Sequence, residues 1–185
     1  KTIDNDLNAT DYTFGYDTAL NVATECLDRI RTTAESHDRV MVVEIMGRHA
    51  GWIALEAGIA GGADVVLIPE VSLTIDEICG YITKQRERGK NYSIVAVSEG
   101  FTILGEEIVT AKKELDAFGH VILGGVGDRL AKLIEKKTGY ETRSTVLGHI
   151  QRGGTPTAFD RVLGTRLGVK ADQLVKEGKF GNMVS

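Results

Sequence analysis

Thr2-Ile3-Asp4-Asn5-Asp6 puts a hydroxyl, a carboxamide and two carboxylates within five residues. Asp4 and Asp6 stand two apart, and Asn5 between them favours a tight, non-helical turn. Such a pair can divide labour. One carboxylate takes a proton from an attacking hydroxyl, and the other holds a magnesium ion directly or through water. The spacing alone fits a solvated loop better, because Asp and Asn crowd into ordinary turns.

Further candidates follow hydrophobic runs. Met46, Gly47, Arg48 and His49 follow Val40–Ile45, Glu99 and Gly100 follow Ser93–Val97, and His149 and Arg152 follow Thr142–Leu147. Ligands of open α/β sheets gather beyond the carboxyl ends of the strands. There, arginine and imidazolium groups can hold phosphate oxygens, and glutamate can accept from sugar hydroxyls. Each residue singly fits a solvated loop charge; three strand ends agreeing argue a site for a phosphorylated sugar. Arg39 instead sits just before Val40, and Arg143 just before Thr145, at the starts of their strands. At the rise of a β-strand, Arg39 lies roughly 25–30 Å from Arg48 along the sheet direction. These two are surface charges or serve a second site, such as one that a two-fold interface would create.

The elements that must position these residues are legible. Leu20, Ala23, Leu27, Ile30 and Ala34 recur at helical spacing and predict a helix over residues 14–34, with Thr10, Asp11 or Thr13 as its cap. Val40–Met46 and Val65–Ile68 read as strands buried on both faces. Helices are expected over 52–59, 76–87, 129–137 and 158–176, and further strands over 93–97 and 142–147. The stretch 115–123 reads as irregular. Gly124-Gly125-Val126-Gly127 lacks the glycine spacing and the Lys-Ser/Thr ending of a nucleotide loop, so it is expected to lead into a helix. Trp52 and Phe159 read as core, and His37 and His120 have no metal-ligand companions. Alternating strands and helices argue an α/β domain with a mainly parallel sheet.

Composition narrows the classes. The chain has 185 residues, 42% hydrophobic and 26% charged, as in an ordinary globular protein that can bury a real core. A net charge of −4 without a Lys/Arg run argues against nucleic acid as a partner. No apolar stretch approaches the ~20 residues of a membrane span, and no signal peptide is visible. Cys26 and Cys79 have no CxxC partner and read as reduced thiols of a cytoplasmic protein.

Taken in order, Lys1-Thr2-Ile3-Asp4-Asn5-Asp6-Leu7, Gly15-Tyr16-Asp17-Thr18-Ala19, Met46-Gly47-Arg48-His49-Ala50-Gly51, Glu99-Gly100 and Leu147-Gly148-His149-Ile150-Gln151-Arg152-Gly153-Gly154 resemble the 6-phosphofructokinases. The resemblance covers almost the whole chain, and its first and last motifs are highly specific. It implies a three-layer α/β fold, a mainly parallel sheet flanked by helices. It also implies transfer of a phosphoryl group from ATP, or alternatively diphosphate, to the 1-hydroxyl of fructose 6-phosphate, with Mg2+. Asp4 matches the base, Thr2 a donor to the substrate and the transferring group, and Asp6 a carboxylate tied to the magnesium. Arg48 matches the arginine that steadies charge on the transferring group. Met46, Gly47, Glu99, His149 and Arg152 match sugar-phosphate contacts. Arg39 and Arg143 match a pair that reaches the sugar phosphate from an adjacent subunit, implying a dimer or tetramer with shared sites.

The same resemblance implies that residues 1–13 form a catalytic loop of the phosphoryl-donor domain. Residues 14–152 match the sugar-phosphate domain, and 153–185 a helix returning toward the donor domain. The donor half is expected before Lys1 and a last segment after Ser185, so the isolated chain is not expected to turn over. Lys1 occupies a place where short ATP-using relatives commonly carry glycine, and so bears on donor choice. Arg31, Asp64, Arg88 and Lys90 match effector positions, although Asn91 stands where a lysine is common and Asp64 where a glutamate is. The stretch from Phe101 to about Gly139 is longer than in the short bacterial enzymes and resembles an insertion of a branch that includes diphosphate users. A non-catalytic module sensing a phosphorylated ligand is the competing reading. Asp4 speaks against it, since sensing needs no base. An oxidoreductase domain fails for want of a full glycine fingerprint.

Overall fold

The computed structural model describes residues 2–105 and 125–185. In chain order the elements are α1 (Tyr16–Ser36), β1 (Val40–Ile45), α2 (Trp52–Ala60), β2 (Val65–Leu67), β3 (Leu73–Thr74), α3 (Ile75–Glu87), β4 (Ser93–Ser98), β5 (Ile103–Leu104), α4 (Val126–Thr138), β6 (Thr142–Val146), a 3₁₀ turn (Gly148–Arg152) and α5 (Ala158–Lys176). The main sheet has the order β2-β4-β1-β6 and all its pairs are parallel.

Every residue of β1 and β4 is buried, as expected of inner strands covered on both faces. Side-chain alternation divides the core in two. Met41, Val43, Ile45, Ile94 and Ala96 pack with α1 and α2, while Val40, Val42, Val95 and Val97 pack with α3 and α4. Three layers result, helices on either side of one parallel sheet. In α1 the predicted stripe is inside: Ala23, Leu27 and Ala34 are fully buried, with Leu20 and Ile30 packed at its margin.

Two expectations need correction, and one element was not expected. None of Thr10, Asp11 and Thr13 caps α1. Left-handed Gly15 holds the cap position and has no side chain to offer. The carboxylate of Asp160, at the start of α5, accepts the Gly15 N–H at 2.7 Å and the Thr18 N–H at 2.8 Å instead. Trp52 and Phe159 are not core: each is 45% exposed, and Phe159 lies edge-on to Tyr12. The short parallel pair β3–β5 had no sequence signal, because two residues per strand show no periodicity. Gly125 does lead into α4. Lys1, Gly124, His120 and the stretch 115–123 lie outside the described residues.

Candidate active site

The site is assembled where β1, β4 and β6 end. After β1, Gly47 takes φ 143°, and a Cβ there would stand 2.6 Å from the Ala50 carbonyl. Ser98 Oγ and the Gly100 N–H both donate to the Gly47 carbonyl, at 2.5 and 3.1 Å. A side chain on Gly100 would overlap the Arg48 carbonyl. The two loops therefore touch through bare backbone, which brings Glu99 beside Gly47 and Arg48. After β6 the 3₁₀ turn carries His149 and Arg152, both exposed.

The loop of residues 2–13 closes over this edge. Asn5 takes φ 55°, donates through Nδ2 to the Asp11 carbonyl at 3.1 Å and accepts the Thr13 N–H at 2.8 Å. It is the hinge of the turn, and the carboxylates flanking it are left for other work. The Asp4 N–H donates to Thr2 Oγ1 at 3.0 Å, and Asp6 is exposed. Burial pushes the Asp4 carboxyl above its ordinary value, and Asp6 pushes it further. The Arg48 main chain and the charges of Arg152 and Arg48 act in the opposite direction. Glu99 is also raised, first by burial; Asp4 and Glu44 add to the rise, and the Gly47 main chain and Arg48 oppose it. Asp4, Glu99, Arg48 and Arg152 thus form one electrostatic cluster drawn from four segments. A cleft of about 300 Å3 adjoins it, lined in part by Ile3, Gln151, Arg152 and Asp160.

Among the described residues, no group of three or more His, Cys, Asp or Glu could enclose a metal ion. Magnesium does not require one. It is commonly held by one or two carboxylates together with substrate phosphates. Exposed Asp6, beside Asp4, suits that lighter duty.

Arg39 and Arg143 stand at the opposite edge of the sheet, beside Val40 and opposite Met41 respectively. Both are bonded to Glu141, whose carboxyl is held below its usual range chiefly by Arg39. Of the expected effector residues, Lys90 is engaged by Asp64 at 2.6 Å, and Asp64 also accepts the Ile94 N–H at 2.9 Å. The Arg31 guanidinium packs against Gly62, and Arg88 is exposed just past α3. Lys1 lies outside the described residues.

A family model described as Phosphofructokinase matches residues 1–175. The chain belongs to the phosphofructokinase family. It is 58% identical over its whole length to a Streptomyces coelicolor protein named pyrophosphate–fructose 6-phosphate 1-phosphotransferase, of which it covers 54%. It is 52% identical, again over its whole length, to a Corynebacterium efficiens protein named ATP-dependent 6-phosphofructokinase, with 54% of that protein covered. The chain therefore spans about half the length of the curated relatives it matches. The structure of Saccharomyces cerevisiae phosphofructokinase superposes with a TM-score of 0.80 at 40% identity, over 95% of this chain and 22% of that one. Among the described residues, no helix is long and apolar enough to cross a membrane.

Within this phosphofructokinase scaffold, sequence reasoning missed three buried polar residues. Glu44 sits in the middle of β1, 2% exposed, and accepts the Gly127 N–H at 2.8 Å, holding the start of α4. A lone acid in an otherwise apolar strand was the available signal. Asp160 caps α1 from a distance of more than a hundred residues in sequence, which no local pattern announces. Gln151, embedded in a recognised motif, is 1% exposed and bonds to Met46 and Gly148.

Proposed function

We propose that this chain supplies the sugar-phosphate half of a 6-phosphofructokinase, which transfers the terminal phosphoryl group of ATP to the 1-hydroxyl of fructose 6-phosphate and yields fructose 1,6-bisphosphate. The observation that carries the reading is the placing of the part-buried Asp4 carboxyl beside the Arg48 and Arg152 charges, in one cluster with Glu99. Asp4 takes the proton of the 1-hydroxyl as that oxygen attacks, and burial makes it a stronger acceptor than a solvated aspartate. Thr2 orients the reacting groups, and the Arg48 guanidinium offsets charge on the transferring group. Phosphoryl transfer asks mainly for positioning and charge stabilisation of this kind. Glu99 accepts from sugar hydroxyls, Met46 and Gly47 bound the sugar through their backbone, and His149 and Arg152 hold phosphate oxygens. Arg39 and Arg143 complete the phosphate site of a neighbouring subunit, so the enzyme is a dimer or tetramer. Asp6 would help to hold Mg2+ beside the donor phosphates, where the ion would supply further charge neutralisation. The setting is cytoplasmic, and control by effectors bound near Arg31, Asp64, Arg88 and Lys90 belongs to the same reading.

Diphosphate is the second donor to consider. A specific observation favours it: relatives from Streptomyces coelicolor and Amycolatopsis methanolica, both named for pyrophosphate, are 58% identical to the chain, while the ATP-named Corynebacterium efficiens relative is 52% identical. The test is product formation by the intact enzyme from fructose 6-phosphate and Mg2+ with ATP or diphosphate as donor. Bisphosphate formed with ATP supports the first reading and with diphosphate alone the second. Tight sugar-phosphate binding without product from either donor leaves only a sensing module.

A further inference from the structure

β1 and β6 run in register from Val40 opposite Thr142 to Glu44 opposite Val146. One more bond continues the ladder, from the Leu147 N–H to the Glu44 carbonyl at 3.0 Å. The next bond of a parallel ladder would take the Met46 N–H to a main-chain carbonyl beyond β6. That carbonyl is not in place, because the chain turns at Gly148, φ 51°, into the 3₁₀ turn. The Met46 N–H is donated to Gln151 Oε1 instead, at 3.2 Å. The other end of the same amide donates from Nε2 to the Gly148 carbonyl at 3.1 Å. Gln151 is 1% exposed, while His149, Ile150 and Arg152 around it are exposed.

We propose that Gln151 is a positioning residue for the sugar-phosphate site, a side-chain splice that joins the loop of Met46, Gly47 and Arg48 to the turn of His149 and Arg152. One buried amide stands in for a missing strand residue, so contacts leaving two different strands keep a fixed separation. The side-chain type follows from the partners. A donor must meet the Gly148 carbonyl and an acceptor must meet the Met46 N–H, and a neutral amide offers both without burying a charge. Asparagine is one methylene short. An ionised glutamate is acceptor-only and would face the Gly148 carbonyl with a second oxygen. The splice itself follows from the bonds; its effect on the sugar phosphate rests on the phosphotransferase reading.

Two measurements on the intact enzyme separate these claims. Amide hydrogen exchange reads the splice: Gln151→Leu is expected to deprotect Met46, and protection equal to wild type overturns the proposal. Kinetics read the positioning. Gln151→Leu is expected to raise the KM for fructose 6-phosphate at least ~10-fold, with kcat changed less and the donor KM within about 2-fold. Gln151→Glu keeps the shape and the acceptor toward Met46, so it serves where the leucine variant fails to fold. Its protonated form regains the donor, and the ratio of its KM to that of wild type is expected to fall as pH is lowered. A sugar-phosphate KM unchanged in both variants, despite lost protection at Met46, reduces Gln151 to a structural role and overturns the positioning. A wild-type enzyme that forms no product with either donor overturns the phosphotransferase reading, and the exchange result still decides the splice.

Discussion

Arg39 and Arg143 close on one carboxylate oxygen: the Nη2 atoms lie 2.8 and 2.7 Å from Glu141 Oε1. Arg143 also reaches Glu135 Oε1 at 3.6 Å, so two guanidinium groups and two carboxylates meet at the sheet edge opposite Asp4. Neither arginine serves the site at the carboxyl ends of its own strands. If they act on a neighbour, a chain carrying Arg143→Ala and a chain carrying Asp4→Asn should complement each other when coexpressed. Hybrid oligomers should regain part of the wild-type activity. Hybrids no more active than the two parent variants would show that sites are not shared.

For Asp4 the expected outcome is a drop in kcat of at least ~10²-fold on Asp4→Asn, the scale of general-base loss, with little change in sugar-phosphate affinity. The folded carboxyl is raised, mainly by burial, so it binds its proton more tightly than in the unfolded chain. Its contribution to stability is therefore present at low pH and shrinks as pH rises through the folded value. At neutral pH Asp4→Asn should leave thermal stability unchanged or slightly higher. A variant that keeps near-normal turnover, or loses it only by unfolding, would remove Asp4 from the mechanism.

The neighbouring acid gives a pH test. Asp6 contributes to the rise of Asp4, so Asp6→Asn should move the acid limb of the pH–rate profile to lower pH. Steady-state rates across the carboxylate range would read this shift directly. An acid limb that stays put would mean that a different group sets it.

What the sequence made legible follows physical range. The stripe on α1 and the apolar runs of β1 and β4 are local patterns tied to burial, and they predicted elements within about two residues at either end. The strand-end rule brought Arg48, Glu99 and Arg152 to one edge before any coordinates, because it needs only strand direction. Asp160 and Gln151 were not legible as they act. Their partners are set by the packing of α5 and by where β6 stops, and neither is encoded in a window of neighbouring residues. Local capping signals at Thr10, Asp11 and Thr13 misled for the same reason: a side chain distant in sequence had taken the α1 terminus.

Asp160 offers a stability test of that long-range cap. Its carboxylate accepts the Gly15 and Thr18 N–H groups and the Thr18 hydroxyl, and it is 7% exposed. Asp160→Ala leaves these donors without their partner and should destabilise the fold by about 1–3 kcal/mol. Asp160→Asn retains one acceptor oxygen and should cost less. Denaturant unfolding of the two variants checks the order. Equal stability of the alanine variant and wild type would mean that water caps α1 as well as Asp160 does.

Donor choice is the last test, and it turns on Lys1. The resemblance to the 6-phosphofructokinases implies a glycine here in short ATP-using enzymes, and this chain has Lys1 beside Thr2. A lysine ammonium close to the donor phosphates is a compact, strongly hydrated point charge. It can replace part of what a nucleotide would supply and favour diphosphate, or it can coexist with ATP where the donor loop leaves room. Proteins named for either donor match the whole chain, a pyrophosphate-named one at 58% identity and an ATP-named one at 52%, so a direct test of Lys1 is needed beside that difference. If Lys1 tunes the donor, Lys1→Gly in the intact enzyme should change the ratio of kcat/KM for ATP over diphosphate by ~10-fold or more, on the scale of one charged contact in the transition state, while the sugar-phosphate KM stays nearly constant. An equal response of both donors would make Lys1 a general electrostatic element of the loop, and donor identity would then rest on other residues.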